Sequence, residues 1–165
     1  MTIIIKNKET LLIDDFKFKC SVGKRGFSKN KKEGDLKSPR GIFNLGNIYY
    51  RKDRIKKPIS KLKLFCIKKN MGWCDDPNSK YYNKLINIEK NLKISYEKLF
   101  RKDNKYDLFI LIKYNYNKII KNRGSAIFLH LTKNYSSTKG CIAIKKKDFF
   151  ILNKLINKKT KIKIL

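Results

Sequence analysis

The segment Tyr106–Tyr114 constrains the fold more strongly than any other part of the chain. Its sequence, YDLFILIKY, is centred on an unbroken apolar run. A short continuous run of this kind is typical of a strand that is buried on both faces. Two later segments, Ser125–Leu131 and Cys141–Ile144, have the same character and are predicted to be further core strands. The second half of the chain is therefore expected to build the centre of a sheet.

Shorter segments with β-branched and aromatic residues, separated by polar breaks, extend the strand pattern along the chain. We predict strands at Thr2–Lys6, Thr10–Asp14, Phe16–Val22, Gly41–Tyr50, Leu62–Lys68 and Thr160–Leu165. Helical structure is limited to one or two turns in Ser95–Phe100 and to a helix that Asp148 caps and that extends through Asn157. No internal repeat or interdomain linker interrupts this pattern. Residues 1–165 are thus predicted to form one domain, mainly β with minor α, around a mixed sheet.

Gly23–Asp35 is the clearest exception to the strand pattern. The segment is rich in glycine and lysine and has no hydrophobic periodicity, so we predict a long loop. Long loops inside compact domains are usually functional, which makes this segment a candidate part of a site.

The charge balance is strongly basic, with 42 lysines and arginines against 13 acidic residues and a net charge of +29. Such a charge first indicates nucleic acid or another anionic surface as a partner. However, only six of the basic residues are arginine, and they are scattered, whereas arginine is the side chain that reads phosphates and guanine bidentately. Lysine, isoleucine and asparagine all have A/T-rich codons, so compositional drift explains the charge, and no specific nucleic-acid partner is expected.

The four cysteines, Cys20, Cys66, Cys74 and Cys141, form no CxxC pair. With a single histidine in the chain they cannot complete the usual zinc sets, and they are too few for a disulfide scaffold, so no metal or other cofactor is predicted.

The first apolar runs are only three residues long, far short of a signal peptide or a membrane span. By sequence alone we expect a soluble, cytoplasmic chain without an export signal, and a monomer.

His130 and Cys141 are the residues that point to chemistry. Each alone is more typical of a core residue than of a catalyst. Together they are more informative, because His130 closes one predicted strand and Cys141 opens the next, and an antiparallel pairing would place both at one rim of the sheet. A cysteine within hydrogen-bonding reach of a histidine is the activated nucleophile of covalent catalysis. The pair is therefore a candidate catalytic site.

The residues just before Cys141 support this interpretation. Gly140 lets the backbone turn and lets a substrate approach closely, and its N–H and that of Cys141 are candidate donors to an oxyanion. Thr138 either adds a hydroxyl at the rim or caps the turn. Lys139 either favours the thiolate or belongs to a solvated face.

Several phrases of the sequence, in order, carry a resemblance to a known family. They are Gly34–Phe43 (GDLKSPRGIF), Trp73–Asn83 (WCDDPNSKYYN), Tyr106-Asp107 with Tyr114-Asn115, Gly124–His130 (GSAIFLH), and His130 followed by Thr138-Lys139-Gly140-Cys141. With these motifs the chain resembles the catalytic domain of the L,D-transpeptidases, the YkuD-type cysteine enzymes of bacterial cell walls. The resemblance covers most of the chain.

The resemblance implies a sandwich- or barrel-like β domain in which Cys141 attacks an acyl carbonyl of a peptidoglycan stem peptide, with His130 as general base. An acceptor stem peptide, through its amine, would then take the acyl group. Thr138, Lys139, Asn115, Trp73 and Arg40 are the candidate substrate-binding residues, although a lone tryptophan such as Trp73 is usually found in core or rim packing. The substrate implies a location in the cell envelope.

Two alternatives remain open at this level. A hydrolase on the same scaffold would pass the acyl group to water and release a terminal residue or cleave a crosslink. A basic module that binds an anionic envelope polymer or nucleic acid would need no chemistry at Cys141 and would lose its affinity steeply with salt.

Overall fold

The computed structural model describes residues 1–165, and strands dominate it. The strands are β1 (Thr2–Ile5), β2 (Thr10–Ile13), β3 (Phe16–Ser21), β4 (Phe27–Ser28), β5 (Ser38–Pro39), β6 (Gly41–Tyr50), β7 (Leu64–Cys66), β8 (Met71–Cys74), β9 (Leu85–Asn87), β10 (Tyr96–Lys98), β11 (Leu108–Ile112), β12 (Phe128–Thr132), β13 (Ile142–Lys145) and β14 (Lys161–Ile164). The helix α1 spans Lys146–Leu155 and is neither long nor apolar enough to cross a membrane. This architecture confirms the prediction of a mainly β protein with minor α.

Nine strands form one mixed sheet that closes on itself. The order is β11-β12-β13-β3-β2-β1-β14-β6-β7, and β6 also pairs with β11. Strand β6 closes the ring because it is long: Gly41–Asn44 pairs with β14, and Leu45–Tyr50 pairs with β11. Closure removes the open edges that a flat sheet would expose. The expected barrel-like sheet is thus confirmed.

Two apolar clusters lie on opposite faces of the central strands. The larger, of 25 residues, fills the interior of the closed sheet and includes Leu129 and Leu131 of β12. The smaller, of 11 residues, lies between the outer face of β11 and β12 and a second sheet of order β10-β8-β9. Phe128 belongs to this outer cluster, because neighbouring residues of a strand point to opposite faces. The outer cluster also contains Cys141.

Strands β12 and β13 pair in parallel, with His130 opposite Ala143, so the predicted antiparallel pairing is wrong. The physical reason is that the connection is anchored elsewhere in the chain. Residues 133–141 are too many for a tight hairpin, and the Thr138 N–H donates to the carbonyl of Val22, just after β3, at 2.9 Å.

Two local predictions also need correction. Ser95–Phe100 is not helical but contains β10, which is held by antiparallel pairing to β8. Helix α1 begins at Lys146, and Lys145 at its N-cap makes no side-chain cap. Asp148 lies in the first helical turn, where a carboxylate interacts favourably with the helix dipole.

The predicted long loop is a loop apart from the two-residue β4, and it packs against the turn that leads into Cys141. The Gly23 N–H donates to the Ser38 hydroxyl at 2.9 Å, and that hydroxyl donates to the Gly140 carbonyl at 2.7 Å. A β-carbon on Gly23 would lie 2.6 Å from the Leu36 carbonyl oxygen, so only glycine fits there. The loop is in this way attached to the peptide that precedes the cysteine.

Candidate active site

His130 and Cys141 face the same side of the sheet. His130 is opposite Ala143, and Cys141 lies two positions before Ala143, so the strand alternation puts both side chains on the outer face. There they line one pocket of about 490 Å³, together with Tyr106 and residues of the second sheet. The parallel pairing therefore still brings the two predicted residues to a common cavity.

The Cys141 thiol is buried and neutral. It is 7% exposed, its Sγ donates to the Ala126 carbonyl at 3.1 Å, and the Phe128 N–H donates to the sulfur at 3.4 Å. Burial, with the Glu97 carboxylate adding to it, raises the pKa of Cys141 to about 12, although the Phe128 N–H and the Lys31 ammonium act in the opposite direction. The thiol is thus protonated near neutral pH.

The His130 ring is also buried and neutral. Its Nδ1 lies 2.9 Å from the Leu131 carbonyl. Because a carbonyl only accepts, Nδ1 carries the proton, and Nε2 is left as the basic nitrogen. Burial lowers the pKa of His130 to about 4, against the hydrogen bond to Leu131. The ring of Tyr106 packs edge-on against the imidazole, with 5.4 Å between centroids.

Tyr106 and Glu97 form a second polar pair at this pocket. The Tyr106 hydroxyl donates to Glu97 Oε2 at 2.5 Å. Burial raises the pKa of both groups, and the nearby Cys141 thiol adds to the rise at Tyr106. The sequence analysis did not identify Glu97, because the segment that carries it was assigned to a helix. Tyr106 was recognised within a strand and within a family phrase, but no role was assigned to it.

The Gly140 position is tightly enclosed. Its φ is +146°, and a β-carbon would lie 2.8 Å from the Lys37 carbonyl oxygen. Its N–H donates to the Thr138 hydroxyl at 3.1 Å, so this N–H is not free to meet an oxyanion. The Cys141 N–H, in contrast, donates to no protein acceptor. Of the two predicted backbone donors, only that of Cys141 remains available.

Thr138 and Lys139 both reach the pocket walls. The Thr138 hydroxyl donates to the Cys141 carbonyl at 2.6 Å while accepting the Gly140 N–H, which is the turn-capping role that the sequence left open. Lys139 is exposed and lines both the 490 Å³ pocket and a neighbouring one.

Three other predicted substrate contacts do not line the pockets at Cys141. The Trp73 indole is 1% exposed, donates to Asn83 Oδ1 at 2.9 Å and packs in the outer cluster that also contains Cys141. The Asn115 amide donates to two carbonyls of its own loop, and Arg40 lies over the Phe27 ring. None of the three lines either pocket at Cys141.

A second pocket, of about 280 Å³, meets the first at Cys141. The two share Cys141, Asp75, Glu97 and Lys139. The second is completed by the long loop, through Lys31 and Glu33, and by Gly140. The thiol therefore lies where two cavities join.

The comparison with protein families agrees with the motifs and with this fold. The family model described as the L,D-transpeptidase catalytic domain, YkuD, matches residues 1–164. A search of curated proteins found no significant match. The match extends over almost the whole chain, from β1 to β14. The chain therefore belongs to the YkuD family of L,D-transpeptidase catalytic domains, enzymes that act on peptidoglycan.

Proposed function

We propose that residues 1–165 act as one catalytic domain, a cysteine acyltransferase on peptidoglycan stem peptides, with Cys141 as nucleophile and His130 as general base. The observation that carries the proposal is that the thiol and the imidazole share one face of adjacent strands and one pocket wall. The free Nε2 is the basic nitrogen of the ring, because Nδ1 is engaged by the Leu131 carbonyl.

The reaction starts from a neutral pair. The thiol turns from the Ala126 carbonyl towards the imidazole, and Nε2 takes its proton as the sulfur attacks the carbonyl carbon. When the tetrahedral intermediate collapses, the C–N bond breaks and the leaving amine takes the proton from Nε2. A thioester on Cys141 remains, and an acceptor amine attacks it in the reverse sequence of steps.

The two pockets that join at Cys141 favour transfer to an amine over hydrolysis. A two-substrate reaction needs a place for the acyl donor and one for the acceptor, on either side of the same sulfur. The 490 Å³ pocket also carries four cations, Lys98, Arg101, Lys105 and Lys139, against the carboxylates of Asp75 and Glu97. This balance suits a donor peptide that carries carboxylates.

Acylation by a carbapenem, followed by intact mass measurement and peptide mapping, tests the nucleophile. We expect one adduct, on Cys141, in the unmodified protein and none in Cys141→Ala with its fold retained. Cys66→Ala is the matched control, because this partly buried thiol lies outside both pockets, and it should keep the adduct. An adduct on Cys20, Cys66 or Cys74 with Cys141 unmodified would overturn the proposal.

Product analysis separates transfer from hydrolysis. Incubation with a defined muropeptide and an excess of acceptor should give a crosslinked product, which mass spectrometry distinguishes from the shortened peptide that hydrolysis yields. Only shortened peptide at saturating acceptor would favour the hydrolase. Binding to anionic polymer that persists in Cys141→Ala, without any product in the unmodified protein, would favour a non-catalytic basic module.

A further inference from the structure

Lys31 is a buried ammonium group that neither the motifs nor the proposed mechanism uses. It lies in the long loop, is 3% exposed, and lines the 280 Å³ pocket with Cys141. A lysine is almost never buried to this extent unless it is paired, because removing an ammonium from water is costly. Its position next to a nucleophile therefore needs a physical explanation.

Two glycines make the room for this side chain. A β-carbon on Gly124 would lie 2.7 Å from Lys31 Cε and 3.0 Å from Cδ, so the aliphatic stem crosses the glycine backbone directly. A β-carbon on Gly140 would lie 3.3 Å from Lys31 Nζ. The side chain thus passes over Gly124 and ends with its charge beside the residue that precedes Cys141.

The ammonium has donor capacity to spare. Lys31 Nζ donates to Asp35 Oδ1 at 2.7 Å, and the Lys32 carbonyl lies 3.5 Å away, at the limit of a hydrogen bond. An ammonium carries three N–H groups. At least one proton therefore has no protein acceptor on a side chain that borders the pocket.

Asp35 is itself held by the loop and not by Lys31 alone. Its carboxylate accepts the Lys32 N–H and the Lys37 N–H, each at 2.9 Å. The nearby Glu33 carboxylate accepts the Ser125 hydroxyl at 2.8 Å and fixes the loop to the segment beside Gly124. The loop conformation thus has anchors that do not depend on the ammonium.

One of the two backbone donors expected for an oxyanion is already engaged. The Gly140 N–H donates to the Thr138 hydroxyl, whereas the Cys141 N–H donates to no protein acceptor. Oxyanion sites usually provide two or more donors. The Lys31 ammonium ends beside Gly140 with a spare N–H, so it is placed to act as a second donor.

We propose that the Lys31 ammonium is this second donor and that it stabilises the oxyanion formed when Cys141 attacks the acyl carbonyl. The inference rests on the proposed function. As the C–S bond forms, the carbonyl π electrons move onto oxygen, and that oxygen accepts hydrogen bonds from Lys31 and from the Cys141 N–H. When the C=O bond re-forms and the C–N bond breaks, the charge on oxygen is lost. Lys31 keeps all its protons throughout.

The test is the rate of carbapenem acylation of Cys141 at saturating probe, in the full chain. Lys31→Met keeps the apolar stem and removes the charge, and we expect its saturating rate to fall about 100-fold, as for loss of one oxyanion donor. The probe concentration at half-saturation should stay within about threefold of the value for the unmodified protein. Lys31→Arg restores a cation and should recover most of the rate. If Lys31→Met does not fold, Lys31→Gln is compared in its place.

Asp35→Asn is the matched control for the loop, because it removes the negative charge of the pair but keeps a side-chain oxygen that can accept from the Lys31 ammonium. It should acylate within a few-fold of the unmodified protein. Three results would overturn the inference. They are an unchanged saturating rate in Lys31→Met, a loss of rate in Asp35→Asn as large as that in Lys31→Met, and a Lys31→Met variant in which only the probe concentration at half-saturation changes. The second result would mean that Lys31 only holds the loop. The third would mean that it only binds the carboxylate of the probe. If the unmodified protein is not acylated at Cys141, the proposed function fails as well.

Discussion

Replacing His130 by glutamine should remove the part of the acid sensitivity of the fold that the buried imidazole causes. His130 is the only histidine in the chain and is 5% exposed. Burial lowers the pKa of its ring to about 4, from an ordinary value of 6.5. In the unfolded chain the ring takes up a proton as the pH falls through 6.5, whereas the folded protein resists protonation until about pH 4.

The sign and the size follow from proton linkage. Between these two pKa values the unfolded state binds more protons, so the free energy of unfolding falls as the pH falls. The gap from 6.5 to about 4 corresponds to roughly 3 kcal/mol in full. The stabilisation is present above pH 6.5, and about 2.5 kcal/mol of it is lost by pH 4.5.

Urea denaturation of the unmodified protein and of His130→Gln, at pH 7.0 and pH 4.5, measures this loss. The quantity to compare is the change in free energy of unfolding between the two pH values within each protein. Contributions from carboxylates occur in both proteins and cancel, as does the intrinsic cost of the substitution. The unmodified protein should lose about 2.5 kcal/mol more than the variant. Equal losses would refute the argument that the ring is buried and uncharged.

Three further predictions concern packing, the loop and the thiol. Phe109 is fully buried against three aromatic rings, so Phe109→Ala should lower the free energy of unfolding by about 3–5 kcal/mol in urea denaturation, and a loss under 1 kcal/mol would contradict this packing. Gly23→Ala would press a β-carbon on three backbone atoms closer than 2.9 Å, whereas Gly34→Ala meets no atom within 4 Å and costs only the strain of a φ of +73°. Gly23→Ala should therefore lower the melting temperature more, and equal shifts would refute the close approach. Because burial raises the pKa of Cys141 to about 12, iodoacetamide at pH 7.5 should alkylate it at least about tenfold more slowly than a free thiol. Peptide mapping follows the reaction, and alkylation as fast as that of a free thiol would disprove the neutral thiol.

The strands were the most predictable part of the fold. Gly41–Tyr50 was predicted with the bounds that the structure has, and Tyr106–Tyr114 contains β11, whose five residues are all buried. A continuous apolar run indicates a strand buried on both faces, and a strict alternation indicates one buried on a single face, so both can be recognised from local sequence. Strands β8 and β9 carry only weak signals of this kind, since they are short and depend on their partners.

Partner choice and direction were less predictable than the strands themselves. Nothing between β12 and β13 specifies a parallel return, which depends on contacts with β3 elsewhere in the chain. Likewise β10 lacks an intrinsic strand pattern and is fixed by its pairing with β8. Long-range pairing of this sort overrides local propensity.

The same distinction applies to the candidate site. Cys141 and His130 could be proposed because glycine, cysteine and histidine occur in a recognisable order within one short region. Lys31 and Glu97 could not be proposed, because they reach the cysteine from a loop and from the second sheet. Each is also one charged residue among the 42 basic and 13 acidic residues of the chain. Only their burial beside the thiol separates them from solvated charges.

The burial of the thiol and the imidazole also determines when the site can react. Because burial raises the pKa of Cys141 and lowers that of His130, the pair rests as thiol and neutral ring, and no thiolate is exposed to oxidants or to unrelated electrophiles. In the proposed mechanism, charge separation becomes favourable only when an acyl carbonyl occupies the junction of the two pockets and its developing oxyanion faces the Lys31 ammonium and the Cys141 N–H. In that mechanism, the stabilising groups belong to the loop and to the turn before β13, which also carries the thiol, while the imidazole belongs to β12. A substitution that loosens the loop should slow acylation without changing the resting protonation of the pair, and a pH titration of Cys141 alkylation in Gly23→Ala should superimpose on that of the unmodified protein.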